Sequence, residues 1–308
     1  MIKLRYSVQL EYSAASPADF VLNVHPARTA VQQVFSEHLE IRPVQPAVVQ
    51  TDPITGNRLL RLSTGPGEIE IRYEAEVELT HHLGQPMAIE EVPVARIPAD
   101  VLRWLYPSRY CPRDQLIAFA GKQFGGLPQG YHRVAAIRQW VENHVKFVSG
   151  ATTGATSALD TLRDAQGVCR DFAHVMIALC RACNVPARFV SGIDYGAPGI
   201  YGPPDFHGYV EAYLGDRWYV FDPTGMCPPT GLMRIGTGQD AADTAFATIF
   251  GAVRSGSPRI SIEAVHDPAA GYVKPEHCVL AVSTDPGPVR VPSRAMLSSE
   301  IPMGRALH

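Results

Sequence analysis

The chain opens on a strict alternation. Ile2, Leu4, Tyr6, Val8, Leu10 and Tyr12 are apolar, and the residues between them are mostly polar. That period of two predicts a strand with one buried face and one wet face. The pattern returns at Ile69, Ile71, Tyr73, Ala75, Val77 and Leu79, interleaved mainly with Glu and Arg. Between the two runs lie Pro- and Gly-containing breaks and a candidate turn at Thr55-Gly56-Asn57. The stretch to residue 80 therefore reads as an antiparallel β-domain with one solvated face.

Beyond it the period lengthens. Pro98-Ala99-Asp100 precedes VLRWLY, expected as a short helix that Pro107 ends. Around His132 to Phe147, the residues Val134, Ile137, Val141, His144, Val145 and Val148 recur near helical spacing. The segment SGATTGATSALDTL reads as a loop that leads into GVCRDFAHVMIALCRACNVPARF. Ala, Leu, Met and Arg favour helix there, until Asn184-Val185-Pro186 stops it. Strand-like runs follow at ARFVSGIDYG, HGYVEAYL and RWYVFDPT, with Gly215-Asp216 as a hairpin between the last two. RISIEAV and HCVLAV are expected as further strands. The final segment, rich in Pro and Ser, carries no period. The expected organisation is an N-terminal β-domain over 1–85, a helical linker over 86–128, a core over 129–265 and an unassigned extension over 266–308. The fold class is α+β.

Composition narrows the function classes. A chain of 308 residues, 46% hydrophobic and 19% charged, can bury a core without disulfides or metals. A formal net charge of −3 argues against a nucleic-acid partner and offers no attraction to an anionic membrane. Lys3 and Arg5 interrupt what a leader peptide would need to be apolar. No run of 18 uncharged apolar residues could span a bilayer. The expected compartment is the cytoplasm, where Cys111, Cys169, Cys180, Cys183, Cys227 and Cys278 stay reduced. Each cysteine then packs, ligates or catalyses.

Cys169 falls at the first turn of the predicted helix, just after Gly167-Val168. A helix N-terminus presents partial positive charge and free N–H groups, which favour a thiolate. His207, in PDFHGYVEAYL, and Asp222, in WYVFDPT, belong to two strands that a hairpin would lay side by side. An imidazole held by a carboxylate can take the thiol proton and return it to a leaving amine.

These segments carry a resemblance. GVCRDFAHVMIALCRACNVPARFVSG and DFHGYVEAYLGDRWYVFDPTG resemble the core of the transglutaminase-like superfamily of cysteine enzymes, in the order Cys, His, Asp with separations of 38 and 15 residues. ATTGATSALDTL, SRYC at 108–111 and DAADTAFATIFG at 240–251 resemble its bacterial branch. The strand-rich N-terminus is similar to the domain that accompanies this core there. Cys183 departs from the pattern, standing where an apolar residue such as leucine is usual. The resemblance implies a papain-like core, in which a helix bearing Cys169 packs on an antiparallel sheet bearing His207 and Asp222. It also implies acyl transfer: Cys169 attacks a carboxamide, releases an amine and leaves a thioester that water or a second amine resolves. The Cys169 N–H would help hold the oxyanion. The expected activity is a peptidase or amidase acting on a protein or peptide. The alternatives are a transglutaminase and a non-catalytic peptide-binding scaffold.

Several residues near the motif have plainer readings. Taken alone, Cys169 would be a packed thiol and His207 an ordinary strand residue. His174 lies five residues past Cys169, about 140° round the helix, and is expected to be a structural hydrogen-bonding residue. Asp171 suits the first turn of a helix, and it and Arg170 are candidates to shape the site. Cys180 and Cys183 form a C-x-x-C late in the helix, with no second pair to complete a zinc site, which favours core packing. The glycines of TTGATS lack the Gly-Lys-Ser/Thr of a phosphate loop. No cofactor and no metal are expected.

Overall fold

The computed structural model describes residues 1–285. The N-terminal region holds six strands: β1 (Ile2–Ala14), β2 (Ala18–Leu22), β3 (Gln32–Arg42), β4 (Ala47–Thr51), β5 (Arg58–Thr64) and β6 (Gly67–Leu79). β1 pairs along its whole length with β6, from Ile2 opposite Leu79 to Ala14 opposite Gly67. Its burial alternates residue by residue, as the sequence pattern predicts. The even-numbered side chains of β1 meet Phe20, Leu22, Leu60 and Leu62 of the second sheet in one core. Each fully buried Leu or Ile there contributes about 1.5–3 kcal/mol.

After β6 come β7 (His82–Gly84), α1 (Ala99–Leu102), α2 (Ile117–Phe124), α3 (Tyr131–His144), β8 (Lys146–Phe147), α4 (Ala158–Asp164), β9 (Gln166–Gly167) and α5 (Cys169–Ala182). α3 stops earlier than its apolar spacing suggested. Val145 is extended, because Lys146–Phe147 pairs in parallel with Gln166–Gly167. β10 (Ala187–Asp194), β11 (Phe206–Leu214), β12 (Arg217–Phe221) and β13 (Leu232–Gly238) then form four neighbouring strands of a six-stranded antiparallel sheet, with β13 at one edge. The β11–β12 hairpin turns at Gly215 and Asp216, both with positive φ, as Gly-Asp permits.

The remaining strands cross the boundaries expected at 85 and 265. β14 (Ala247–Phe250) pairs with β2, while β15 (Val253–Ser255) and β16 (Arg259–Val265) pair with β1. These late segments thus complete the N-terminal sheets rather than the core. They close a β1 edge that β2–β6 leave unpaired. Conversely, β7 and β17 (Ala281–Ser283) extend the core sheet. HCVLAV contributes only its last residues to β17, and most of the Pro- and Ser-rich tail lies outside the described residues. No described helix is long and apolar enough to cross a membrane.

α5 is the hub of the core. Every residue from Asp171 to Ala182 is buried, against α2, α3, α4 and one face of the core sheet. Behind it, the SRYC segment and the DAAD segment meet. Arg181, fully buried, donates to the carbonyls of Ala187, Tyr106 and Gln239 and to Ser108 Oγ. The Tyr110 N–H donates to Asp240, and the Tyr110 ring stacks on His174.

Two carboxamides from the N-terminal region seal the core sheet's edge. Gln32 accepts from the Arg234 N–H and donates to its carbonyl, at 2.9 and 2.7 Å. Asn57 does the same to Thr237, at 2.8 and 2.9 Å. Each side chain imitates the backbone of a neighbouring strand and satisfies groups that β13 would otherwise leave open.

Candidate active site

Gly167, Val168 and Asp171 set the start of α5. A Cβ on Gly167 would fall 2.6 Å from the Asp171 Cβ, so the chain enters the helix only where no side chain intrudes. Asp171 turns back to accept the Val168 N–H at 2.9 Å and the Thr152 hydroxyl at 2.6 Å. Arg170 donates to Thr152 and pairs with Asp171. The TTGATS loop is thereby tied to the helix start. Cys169 occupies the first helical position and stays partly exposed, as does Arg170, while the helix from Asp171 onward is sealed. Its sulfur lies 3.9 Å from the Phe206 carbonyl oxygen, one residue before His207.

His207 stands on β11 opposite Gly192 of β10. Its Nε2 lies 3.2 Å from Asp222 Oδ1, just beyond the end of β12. Asp222 is held by the Thr224 hydroxyl and N–H, at 2.7 and 3.0 Å, and by the Cys227 thiol at 3.4 Å. Burial alone would raise its carboxyl, but the charge and hydrogen bond of His207, with those from Thr224, hold it well below the usual carboxylate range. An ionised Asp222 only accepts, so Nε2 carries a proton. Burial alone would likewise depress the imidazole. The charge and hydrogen bond of Asp222, joined by Cys169, raise it well above its ordinary value. The structure thus brings Cys169, His207 and Asp222 to one place.

His174 is elsewhere, as its helical offset predicted. It is fully buried, accepts the Ala241 N–H on Nε2, and is pushed down to about 3 by burial. Cys180 is fully buried and Cys183 partly so, and both thiols are pushed up by burial.

Three residues of the site went unnoticed in the sequence. Thr224 was legible in principle, since Asp-Pro-Thr invites a turn in which a side chain bonds the backbone two residues on. Cys227 and Asp194 carried no signal. Asp194 is the last residue of β10, a mostly apolar strand, and its Oδ2 reaches 3.4 Å from His207 Nδ1. Asp194, His207 and Cys227 are also the one group of three metal-ligating side chains found among the described residues, with donor atoms within 4.8 Å of one another. Because that group includes His207, an ion held there would occupy the imidazole that faces the thiol.

Comparison with known proteins agrees with the fold. The model of the transglutaminase-like superfamily matches residues 117–223, and that of the bacterial transglutaminase N-terminal domain matches residues 2–100. A candidate cysteine protease from Cytophaga hutchinsonii, known from its crystal structure, is 35% identical. It superposes with a TM-score of 0.84 over 92% of this chain and 97% of its own. The uncharacterized protein ML0607 of Mycobacterium leprae is 30% identical over 146 residues, 46% of this chain. The chain spans about half the length of that curated relative, 52%. With a Cys-bearing helix packed on an antiparallel sheet, a β-rich N-terminal region, and a relative matched over nearly its whole length, the chain belongs to the transglutaminase-like superfamily.

Proposed function

We propose that this protein is a cysteine-dependent amide hydrolase, a peptidase or amidase acting through Cys169, His207 and Asp222. The observation that carries the reading is the His207–Asp222 contact beside a part-exposed thiol at a helix start. In this mechanism the Cys169 S–H bond breaks and its proton passes to Nδ1 of His207, because Nε2 is held by Asp222. The sulfur's electron pair attacks the carboxamide carbon. The Cys169 N–H, in the unpartnered first turn of α5, faces the developing oxyanion. The imidazolium proton goes to the leaving amine, a thioester remains, and water cleaves it with His207 again as base. Asp222 orients the ring and stays ionised throughout.

The substrate class is a protein or peptide carboxamide, in keeping with the description of the Cytophaga relative as a candidate cysteine protease. The reaction needs no metal or cofactor, and the cytoplasm remains the proposed compartment. The test begins without substrate. Iodoacetamide labelling at pH 6.5, read by peptide mass spectrometry, should select Cys169 over the other five cysteines in wild type and lose that selectivity in His207→Ala. Equal labelling in both proteins would remove the base from the scheme and favour a peptide-binding scaffold. Turnover of a peptide carboxamide with added primary amine then separates hydrolysis from transamidation, since water exclusion at the thioester decides the partition.

A further inference from the structure

His207 touches a second carboxylate that the mechanism above does not use. β10 and β11 run antiparallel with Gly192 opposite His207. Side chains two apart on a strand share a face, so Asp194 is the diagonal neighbour of His207 on the same side of the sheet. Gly192 lets β13 and the Tyr209 ring close on β10 here: a Cβ there would meet the Met233 carbonyl oxygen at 2.3 Å and the Tyr209 ring at 2.9 Å. Asp194 Oδ2 then lies 3.4 Å from Nδ1, and its side chain is nearly buried. Nε2 already donates to Asp222. A bare Nδ1 lone pair facing an ionised carboxylate at this distance would be repulsive, so a proton belongs between them.

We propose that Asp194 is a positioning residue of this site, a second carboxylate on the Nδ1 side of His207 that holds the imidazole protonated beside the Cys169 thiolate and sets the alkaline limit of the reaction. The inference rests on the reading of His207 as the base. After the thiol proton reaches Nδ1, the new N–H is shared between Asp194 and the thiolate until the leaving amine takes it. Asp194 gains and loses no proton over the cycle. The groups facing the ring are Asp194 from β10, Cys169 from α5, Asp222 and Cys227 from the segment after β12, and Tyr209 from β11 itself, while Asp205 from the loop before β11 acts on Asp194. Asp194 is the one of the three carboxylates that lies against Nδ1. Burial pushes its carboxyl above the usual carboxylate range, and the charge of His207 offsets part of that rise.

The experiment is an NMR titration of the His207 imidazole in full-length protein, with Asp194→Asn and Asp194→Glu compared to Asp194 intact. It is run in a Cys169→Ala background, so that no thiolate contributes. Loss of one adjacent carboxylate should lower the His207 midpoint by about one pH unit in Asp194→Asn, and Asp194→Glu should restore most of it. With Cys169 present, the alkaline limb of hydrolysis should move by the same amount. An unmoved midpoint in a folded Asp194→Asn protein overturns the proposal, even if activity falls. Should the Asn variant not fold, Asp194→Ser takes its place: a midpoint lowered by a similar amount supports the contact, and an unmoved one overturns it. The midpoint requires no turnover, so a protein that shows the shift but hydrolyses no amide would refute the hydrolase reading and leave the Asp194 contact standing.

Discussion

The two large sheets of this molecule use burial in opposite ways. β1 and β6 each present one face to a shared core and the other to water, so their apolar residues fall on alternate positions. β11 and β12 are covered on both faces, by α5 on one side and by a small apolar cluster around Tyr209 and Val220, with the Glu211–Arg188–Arg234 group, on the other, and almost every residue is buried. The same contrast governs their charges. On the wet face of β1 and β6, Glu76 pairs with Lys3 and Arg5 in solvent. Inside the core sheet, Glu211 is fully buried between Arg188 and Arg234 and also accepts from Thr284. Burial would raise Glu211, but the two guanidinium groups and Thr284 bring it down to about 2. A charge in the first sheet is a solubility device. In the second sheet it is an obligate part of the packing, on the same strand as His207.

Substitutions should divide along the same line. The largest effect is on chemistry: Cys169→Ser should lower amide hydrolysis at least about a thousandfold, while the urea midpoint stays within error of wild type. Coincident loss of fold would mark Cys169 as a core residue. Glu211→Gln should cost about 3–5 kcal/mol in urea unfolding, because it strands two buried guanidinium groups. Asn57→Leu should cost about 2–3 kcal/mol by leaving the Thr237 N–H and carbonyl unpaired under the N-terminal region. A near-neutral result would mean that β13 needs no seal.

A smaller effect concerns pH. Burial pushes His25 down to about 4 in the folded protein. Below about pH 6.5 the unfolded chain takes the proton first, so the stability contributed by the neutral ring is present above that pH and is lost as pH falls toward about 4. His25→Phe keeps the ring packed near Tyr73 and removes this arm. Its stability should fall by about 1 kcal/mol less than that of wild type between pH 7 and pH 5, measured by urea midpoints at each pH. Parallel pH dependence in the two proteins would refute the assignment. The smallest effect is expected for Glu76→Gln, under about 1 kcal/mol and diminished by salt. A loss comparable to that of Glu211→Gln would erase the distinction between the sheets.

Much of this was legible before any coordinates. The alternation of Ile2 to Tyr12 and of Ile69 to Leu79 determined two half-buried strands, because period and face are local properties of an extended chain. Gly215-Asp216 determined a hairpin, and the run after Cys169 determined a helix with the cysteine at its start. The segments around Cys169, His207 and Asp222 pointed to the family. Tertiary structure alone decided which strands close β1, since Val253–Ser255 and Arg259–Val265 return to it across most of the chain. It alone put Gln32 and Asn57 against β13, because a carboxamide reveals its partner only when another backbone arrives. It alone placed Asp194 against Nδ1 of His207, because that contact depends on the register of β10 against β11. Local patterns specify which face a residue presents. What meets that face is settled by distant segments whose pairing leaves no period in the sequence.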